Sequence, residues 1–437
     1  LDKVKGMSIP IVRASLGDET SYQKFLKSAK SDLSEATKKI LPILKDVESE
    51  GDSAIRRYTE KFDGFALDTL LLDPQNIEVK VPDSIKEAFL IAKSNIEAFH
   101  KKQIRESWST VIDGNKLGVK YSPISSVSVY APGGTALYPS SVLMGVIPAI
   151  LAGVKDIQLV TPPQKNGLPD ILIWLSQILG IQRIVTVGGA QGIAAVAYGT
   201  ESIPKSEFIV GPGNVYVAAA KSYLAGIGLI GIESPAGPSE VCIIADDSAN
   251  PMWIACDMLS QAEHGEDSSA ILLTTNESLA NSVSIELEKA FINRTKRLDM
   301  KKKAIYENSC ILIFDSIEEC VSFSNLLAPE HLEIQTKDPN HTFEGIEHAG
   351  SVFLGPYSPV AMGDYISGTN HILPTARGSR IYSSLGVDTF LKRITYQEIS
   401  KESINRLYPY VKLMSELEGL DEEHGTSVRV RYEEGGI

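Results

Sequence analysis

The sequence predicts an α/β protein with two domains built on parallel sheets, a helical N-terminal arm and a small C-terminal tail domain. Three observations predict it. Strand, loop and helix alternate four times between residues 125 and 224, the grammar of a parallel sheet with right-handed crossovers. A Gly/Pro-rich crossing segment, Gly231–Pro238, precedes a second series of strands and helices on the same plan. Residues before about 105, and much of the chain after about 380, carry helical periodicity instead.

Composition bounds the rest. At 437 residues and 43% hydrophobic content, the chain can fill two or three domain cores. A formal charge of −13 argues against nucleic acid or an anionic membrane as partner. Cys242, Cys256, Cys310 and Cys320 lie far apart, which excludes a zinc ribbon or a disulfide framework and fits a reducing, cytoplasmic compartment. The longest apolar run, Val142–Val154, is interrupted by Pro148 and is too short to span a bilayer. The N-terminus has no long apolar run, and a start at Leu1 leaves room for a targeting segment removed earlier.

In chain order, Leu33–Val47 is amphipathic, Gly51-Asp52-Ser53 opens a helix ending at Asp63-Gly64, and Ile85–Phe99 shows a helical apolar stripe. His100, in a charged helix tail, reads as exposed. Strands follow at Ser125–Tyr130, Asp156–Thr161, Arg183–Val187 and Glu207–Val210, each with a helix after it. Three of the intervening loops are Gly-rich: Ala131-Pro132-Gly133-Gly134, Gly188-Gly189-Ala190-Gln191-Gly192 and Gly211-Pro212-Gly213-Asn214. They stand where strand C-termini meet helix N-termini, the edge at which open α/β sheets bind ligands and where backbone N–H groups favour phosphate. None is a full Gly-x-Gly-x-x-Gly, and no acidic residue follows at the ribose position, so the fingerprint is incomplete and the domains are Rossmann-like. Turn formation is the competing reading of these glycines.

Strands at Ser239–Asp246, Ala270–Thr274, Ile311–Phe314 and Ser351–Leu354 alternate with further helices to form the second domain. The expected division is 1–30 for the arm, 31–124 with 238–379 for a discontinuous α/β domain, 125–237 for the nucleotide domain, and 380–437 for the tail. In the tail, Thr395–Leu417 reads as largely helical and Ser427–Tyr432 as a short strand.

The chemistry concentrates in the second domain and the tail. Asn250 caps a helix with Pro251 at its first position, and Gly265 ends it. Gln261 and His264 share a face of its last turn, so a side-chain carbonyl and an imidazole could hold one metal ion. The alternative is an ordinary polar helix end favoured by the dipole. Glu330-His331 follows a proline-set turn; on a helix the two would point about 100° apart and serve separate jobs, including general base work. Caps and surface contacts at a helix N-terminus are the alternative. Asp364 is a candidate hard ligand or a turn cap, and His371 lies in a nearby turn-rich loop. His424 sits in an acidic tail and reads as solvent-exposed. A set of Gln, His, Asp and a further His has no thiolate; it suits zinc, manganese or another borderline ion in an open site.

Taken together, these residues resemble the histidinol dehydrogenase family. The resemblance runs over nearly the whole chain. It rests on Tyr130-Ala131-Pro132-Gly133-Gly134, Val187-Gly188-Gly189-Ala190-Gln191-Gly192, Gly211-Pro212-Gly213-Asn214 and Ala236-Gly237-Pro238-Ser239-Glu240. It continues through Ser260-Gln261-Ala262-Glu263-His264-Gly265, Ala328-Pro329-Glu330-His331-Leu332, Gly363-Asp364-Tyr365 and Ser367-Gly368-Thr369-Asn370-His371. The resemblance implies oxidation of L-histidinol to L-histidine through the aldehyde, with NAD and one zinc ion per subunit. It implies zinc ligands Gln261, His264, Asp364 and His424, an acid/base pair Glu330 and His331, and NAD contacts at Tyr130, Gln191 and Asn214. Substrate contacts fall on Ser239 and Glu418 beside the zinc ligands and the acid/base pair, although the spacing from Glu418 to His424 is one residue longer than the family pattern. The family is a homodimer in which one chain's tail completes the other's site. Within the same fold, a paralogous enzyme acting on a sulfonated diol would differ at Glu418 and His424. A zinc hydrolase would have no use for the Gly-rich strand ends, and a non-catalytic sensor no use for Glu330-His331.

Overall fold

The computed structural model describes residues 8–28, 33–133, 138–235 and 237–434. Gly134 and Ala236 of the sequence motifs, and parts of the expected N-terminal arm, lie outside them. The chain divides into two compact units, Leu1–Gln103 with Ser125–Thr389, and Ile104–Ile124 with Phe390–Ile437.

The larger unit contains two six-stranded sheets. In the first, the parallel strands Ile184–Val185, Asp156–Val160, Ser126–Tyr130, Phe208–Val210 and Gly231–Ile232 lie side by side, and Leu71–Leu72 adds an antiparallel edge. In the second, Cys310–Ile313, Ser269–Thr274, Glu240–Ala245, His331–Gln335 and Ser351–Leu354 are parallel, with Ile11–Arg13 along the outer side of Cys310–Ile313. Leaving aside the edge strands Leu71–Leu72 and Ile11–Arg13, each sheet has the first of its five remaining strands beside the fourth, so each has a topological switch point there. The central strands read as continuous apolar runs because helices cover both faces; Glu240–Ala245 is buried throughout.

Several expectations need correction. The arm contributes the strand Ile11–Arg13 as well as helix. The helices Ser34–Glu50 and Asp52–Asp63 do not join residues 238–379. Ile40, Leu44, Val47, Ala54 and Ile55 pack into one core with Val185, Ile193, Ala194 and Leu224 of the first sheet and its helices. Pairing of Leu71–Leu72 with Ile184–Val185 ties the same region to that sheet. His100 is fully buried, not exposed: its Nδ1 faces Gln103 Oε1 at 2.8 Å, and burial holds its pKa below the usual value.

The smaller unit is a three-stranded antiparallel sheet, Leu391–Glu398, Asn115–Pro123 and Trp108–Ile112, with helices Lys401–Glu418 and Thr426–Glu434. Residues 104–124 thus form a hairpin that associates with the tail. Thr395–Glu398, expected as helix, is strand, and Ser400 caps the helix that follows. Ser427–Tyr432, expected as strand, is helical. The helix places Tyr432 in a stack on Tyr408 with ring centroids 4.5 Å apart, whereas the sheet pairing runs only between the hairpin and Leu391–Glu398.

Candidate active site

Two depressions of the larger unit meet at the Gly211–Asn214 loop. One, of about 950 Å³, is lined by Tyr130, Gly188, Gly189, Gln191, Asn214 and Tyr216 among others. The three residues expected to touch a dinucleotide are therefore together. Tyr130 ends its strand, and its hydroxyl accepts the Gly189 N–H at 3.2 Å. Asn214 caps the helix Val215–Gly226, its Oδ1 accepting from Tyr216 N and Val217 N. Gly189 has φ +63°, a conformation that suits glycine and turns the backbone at the mouth of the depression. These loops follow the carboxyl ends of their strands, and those of Tyr130 and Val210 flank the switch point.

The second depression, about 380 Å³, gathers Ser239, Gln261, His264, Glu330, His331 and Asp364 with Gly213, Asn214 and His371. Its location on the second sheet is unusual. Ser239-Glu240 and Glu330-His331 stand at the amino ends of the first and fourth strands, so the pocket joins the carboxyl edge of one sheet to the amino edge of the other. Glu330-His331 is also not on a helix as expected. The helix Ile317–Leu327 ends at Ala328, whose φ of +51° and the following Pro329 turn the chain, and His331 begins a strand.

Hydrogen bonds fix each group. Glu330 Oε2 accepts the Glu240 N–H at 2.8 Å and lies 3.4 Å from His331 Nδ1. His331 Nδ1 donates to the Glu240 carbonyl at 3.0 Å. That bond sets the tautomer and leaves Nε2 as the basic nitrogen. Nε2 is buried without a hydrogen-bond partner, 3.7 Å from Asp364 Oδ1. Burial alone would lower the His331 pKa, but the Glu330 and Asp364 carboxylates outweigh it and hold the ring well above the usual value. Burial would raise Asp364, but the facing His331 ring outweighs it and keeps this carboxyl low.

Gln261, on the Pro251–Ala262 helix, is 1% exposed, and both Oε1 and Nε2 lack partners. A buried amide left unpaired at both ends is costly unless something outside the chain binds it. His264 lies just past the helix, exposed, with Nδ1 on the Ser260 carbonyl at 3.0 Å, so Nε2 is free to point elsewhere. Gln261, His264 and Asp364 thus fit a metal through one amide oxygen, one imidazole nitrogen and one carboxylate. Among the described residues no three His, Cys, Asp or Glu side chains cluster closely enough to hold a metal by themselves. Glu418 and His424 are exposed and belong to the smaller unit, at the end of the Lys401–Glu418 helix and in the turn after it.

His371 lies in the turn-rich loop that the sequence placed near Asp364. Its Nδ1 donates to the Asp364 carbonyl at 2.9 Å, and Nε2 pairs with Ser141 Oγ at 3.0 Å, so both ring nitrogens are engaged and the ring braces Asp364. Ser141, Tyr138 and Tyr365 of the pocket wall were missed. Nothing in the pattern of an apolar helix start marks Ser141 as anything but a helix residue.

Comparison with known proteins places the chain in a family. The family model for histidinol dehydrogenase matches residues 26–432. The chain is 72% identical over 425 residues to histidinol dehydrogenase of Leptospira biflexa serovar Patoc, covering 97% of this chain and 99% of the relative. It is 61% identical to that of Leptospira interrogans, covering 97% and 100%, and 45% identical to that of Methanocaldococcus jannaschii, covering 98% and 99%. The crystal structure of histidinol dehydrogenase from Elizabethkingia anophelis superposes with a TM-score of 0.89 at 36% identity, covering 99% of both chains.

Proposed function

Because the chain belongs to the histidinol dehydrogenase family, oxidoreductases that convert histidinol to histidine with NAD in histidine biosynthesis, we propose a role for each residue of the two depressions. Tyr130, Gln191 and Asn214 hold NAD in the 125–237 domain. Gln261, His264 and Asp364 hold the family's zinc, with His424 as fourth ligand. Ser239 and Glu418 contact L-histidinol. The observation that carries this reading is the buried, doubly unpartnered amide of Gln261 opening into the pocket of Glu330 and His331.

When bound, zinc would supply a Lewis acid to the substrate, and NAD would be the hydride acceptor. The protein side chains do the proton work. His331 Nε2, left free by the bond from Nδ1 to the Glu240 carbonyl, takes the hydroxyl proton in the first oxidation once the Asp364 carboxylate that helps hold the ring protonated is committed to the metal. Glu330, anchored through Oε2 on Glu240 N–H, draws a proton from water as it adds to the aldehyde. His331, having passed its first proton to water, then takes the proton of the hydrate for the second oxidation. His331→Asn should slow both oxidations, each by about 10²–10⁴-fold. Glu330→Gln should slow oxidation of histidinaldehyde by a similar factor while sparing the alcohol step. Single-turnover rates with each substrate check this; equal losses for Glu330→Gln contradict the division of labour.

The working unit is a homodimer of shared sites. The exposed residues Tyr410, Leu413, Met414 and Leu417 on the Lys401–Glu418 helix make an apolar stripe at helical spacing, which a second copy would cover. No helix of the described residues is long and apolar enough to cross a membrane, and the four cysteines are free. The free cysteines support a cytoplasmic place of work, and a net charge of −13 speaks against nucleic acid as a partner.

A further inference from the structure

One buried ion pair of the larger unit has no part in the chemistry just described. Lys221, on the Val215–Gly226 helix, and Glu233, just after the strand Gly231–Ile232, have side chains only 3% and 9% exposed. Lys221 Nζ lies 2.6 and 2.8 Å from the two Glu233 oxygens, and donates to the Gly211 carbonyl at 2.9 Å. Glu233 Oε1 also accepts the Gly211 N–H at 2.9 Å. The pair therefore holds both polar backbone groups of one residue, and all three ammonium protons are used.

Gly211 is the hinge of the loop that joins the two depressions. Its φ is +114°, and a Cβ there would stand 2.1 Å from the Tyr130 carbonyl oxygen, so no other residue can take its place. Three residues on, Asn214 lines both depressions, and Gly213 lines the catalytic one. A buried ion pair is a poor way to gain stability, since apolar residues of similar volume pack as well or better. It is a good way to fix a glycine that has no side chain of its own to anchor it.

We propose that Lys221 and Glu233 are positioning residues that set the Gly211–Asn214 loop, and so set NAD affinity independently of substrate and metal binding. This rests on the reading that the loop contacts NAD. The test uses zinc-loaded, full-length protein and the double variant Lys221→Met, Glu233→Leu, which leaves no unpaired charge. Calorimetry gives NAD affinity and, separately, histidinol affinity; zinc content and Tm are measured alongside. The expected result is NAD binding at least about tenfold weaker, with histidinol affinity and zinc content at wild-type values. Unchanged NAD affinity, or an equal loss for NAD and histidinol, overturns the proposal. If the double variant does not fold, Glu233→Gln decides: it retains an acceptor for the Gly211 N–H but loses the charge that holds Lys221. Weakened NAD binding with histidinol affinity intact supports the proposal, and wild-type NAD affinity overturns it. Asn214→Ala separates the two levels. Wild-type NAD affinity in Asn214→Ala means that the loop does not contact NAD. A loss there without one in the double variant means that only the positioning role is wrong.

Discussion

At the scale of single residues, the site is organised by backbone groups at the start of two strands. The Glu240 N–H holds Glu330, and the Glu240 carbonyl holds His331, so one peptide segment orients both members of the acid/base pair. The Glu240 side chain is a different matter. It is buried beside Glu330, and burial together with that neighbouring charge pushes its carboxyl up to about 8. An acid whose folded pKa lies above its unfolded value binds more protons when folded. Its effect on stability is absent below the unfolded pKa of about 4.5 and becomes increasingly unfavourable as pH rises from there to about 8. Glu240→Gln, a neutral isostere, should therefore raise Tm relative to wild type more at pH 8 than at pH 4.5. Calorimetric scans at the two pH values check this, and equal shifts would show that Glu240 is not held neutral by its surroundings.

At the scale of elements, what was legible followed from period and punctuation. Asn250-Pro251 placed a helix start that the structure reproduces, with Asn250 Oδ1 on Met252 N and Trp253 N. The apolar runs beginning near Ser126, Asp156 and Glu240 are buried strands, because a parallel sheet hides both faces. The hairpin Trp108–Ile112 and Asn115–Pro123 went unread although its signal was present. Asp113-Gly114 joins the two runs, with φ of +54° and +77°, the left-handed pair that a tight hairpin turn demands. The tail helix Thr426–Glu434 was read as a strand because Val428 and Val430 alternate with polar residues, a pattern that carries no information about whether a partner strand exists. The candidate site was legible residue by residue, through motif resemblance. Its position was not: the expectation of ligands at strand carboxyl ends describes the nucleotide depression, whereas Glu330 and His331 stand at the opposite edge of their sheet. Only packing of one sheet's edge against the other's brings the two together, and no local pattern encodes that.

At the scale of the whole molecule, the proposed function calls for two chains. Glu418 and His424 lie on the smaller unit, and the proposal is that each tail serves the neighbouring subunit. Co-expressing His424→Ala with His331→Asn tests this. Each variant alone should be inactive. If tails are exchanged, a hybrid dimer keeps one intact site, and random assembly restores about a quarter of wild-type activity. If each tail serves its own chain, mixing restores nothing.

The central claim is that one metal-dependent pocket performs two successive oxidations of histidinol. The most direct measurement is the number of NADH formed per L-histidinol consumed, followed by absorbance before chelation, after it, and after zinc is returned. Two NADH per histidinol are expected, lost on chelation and regained with zinc. A single NADH per histidinol, or turnover unaffected by chelation, would contradict it.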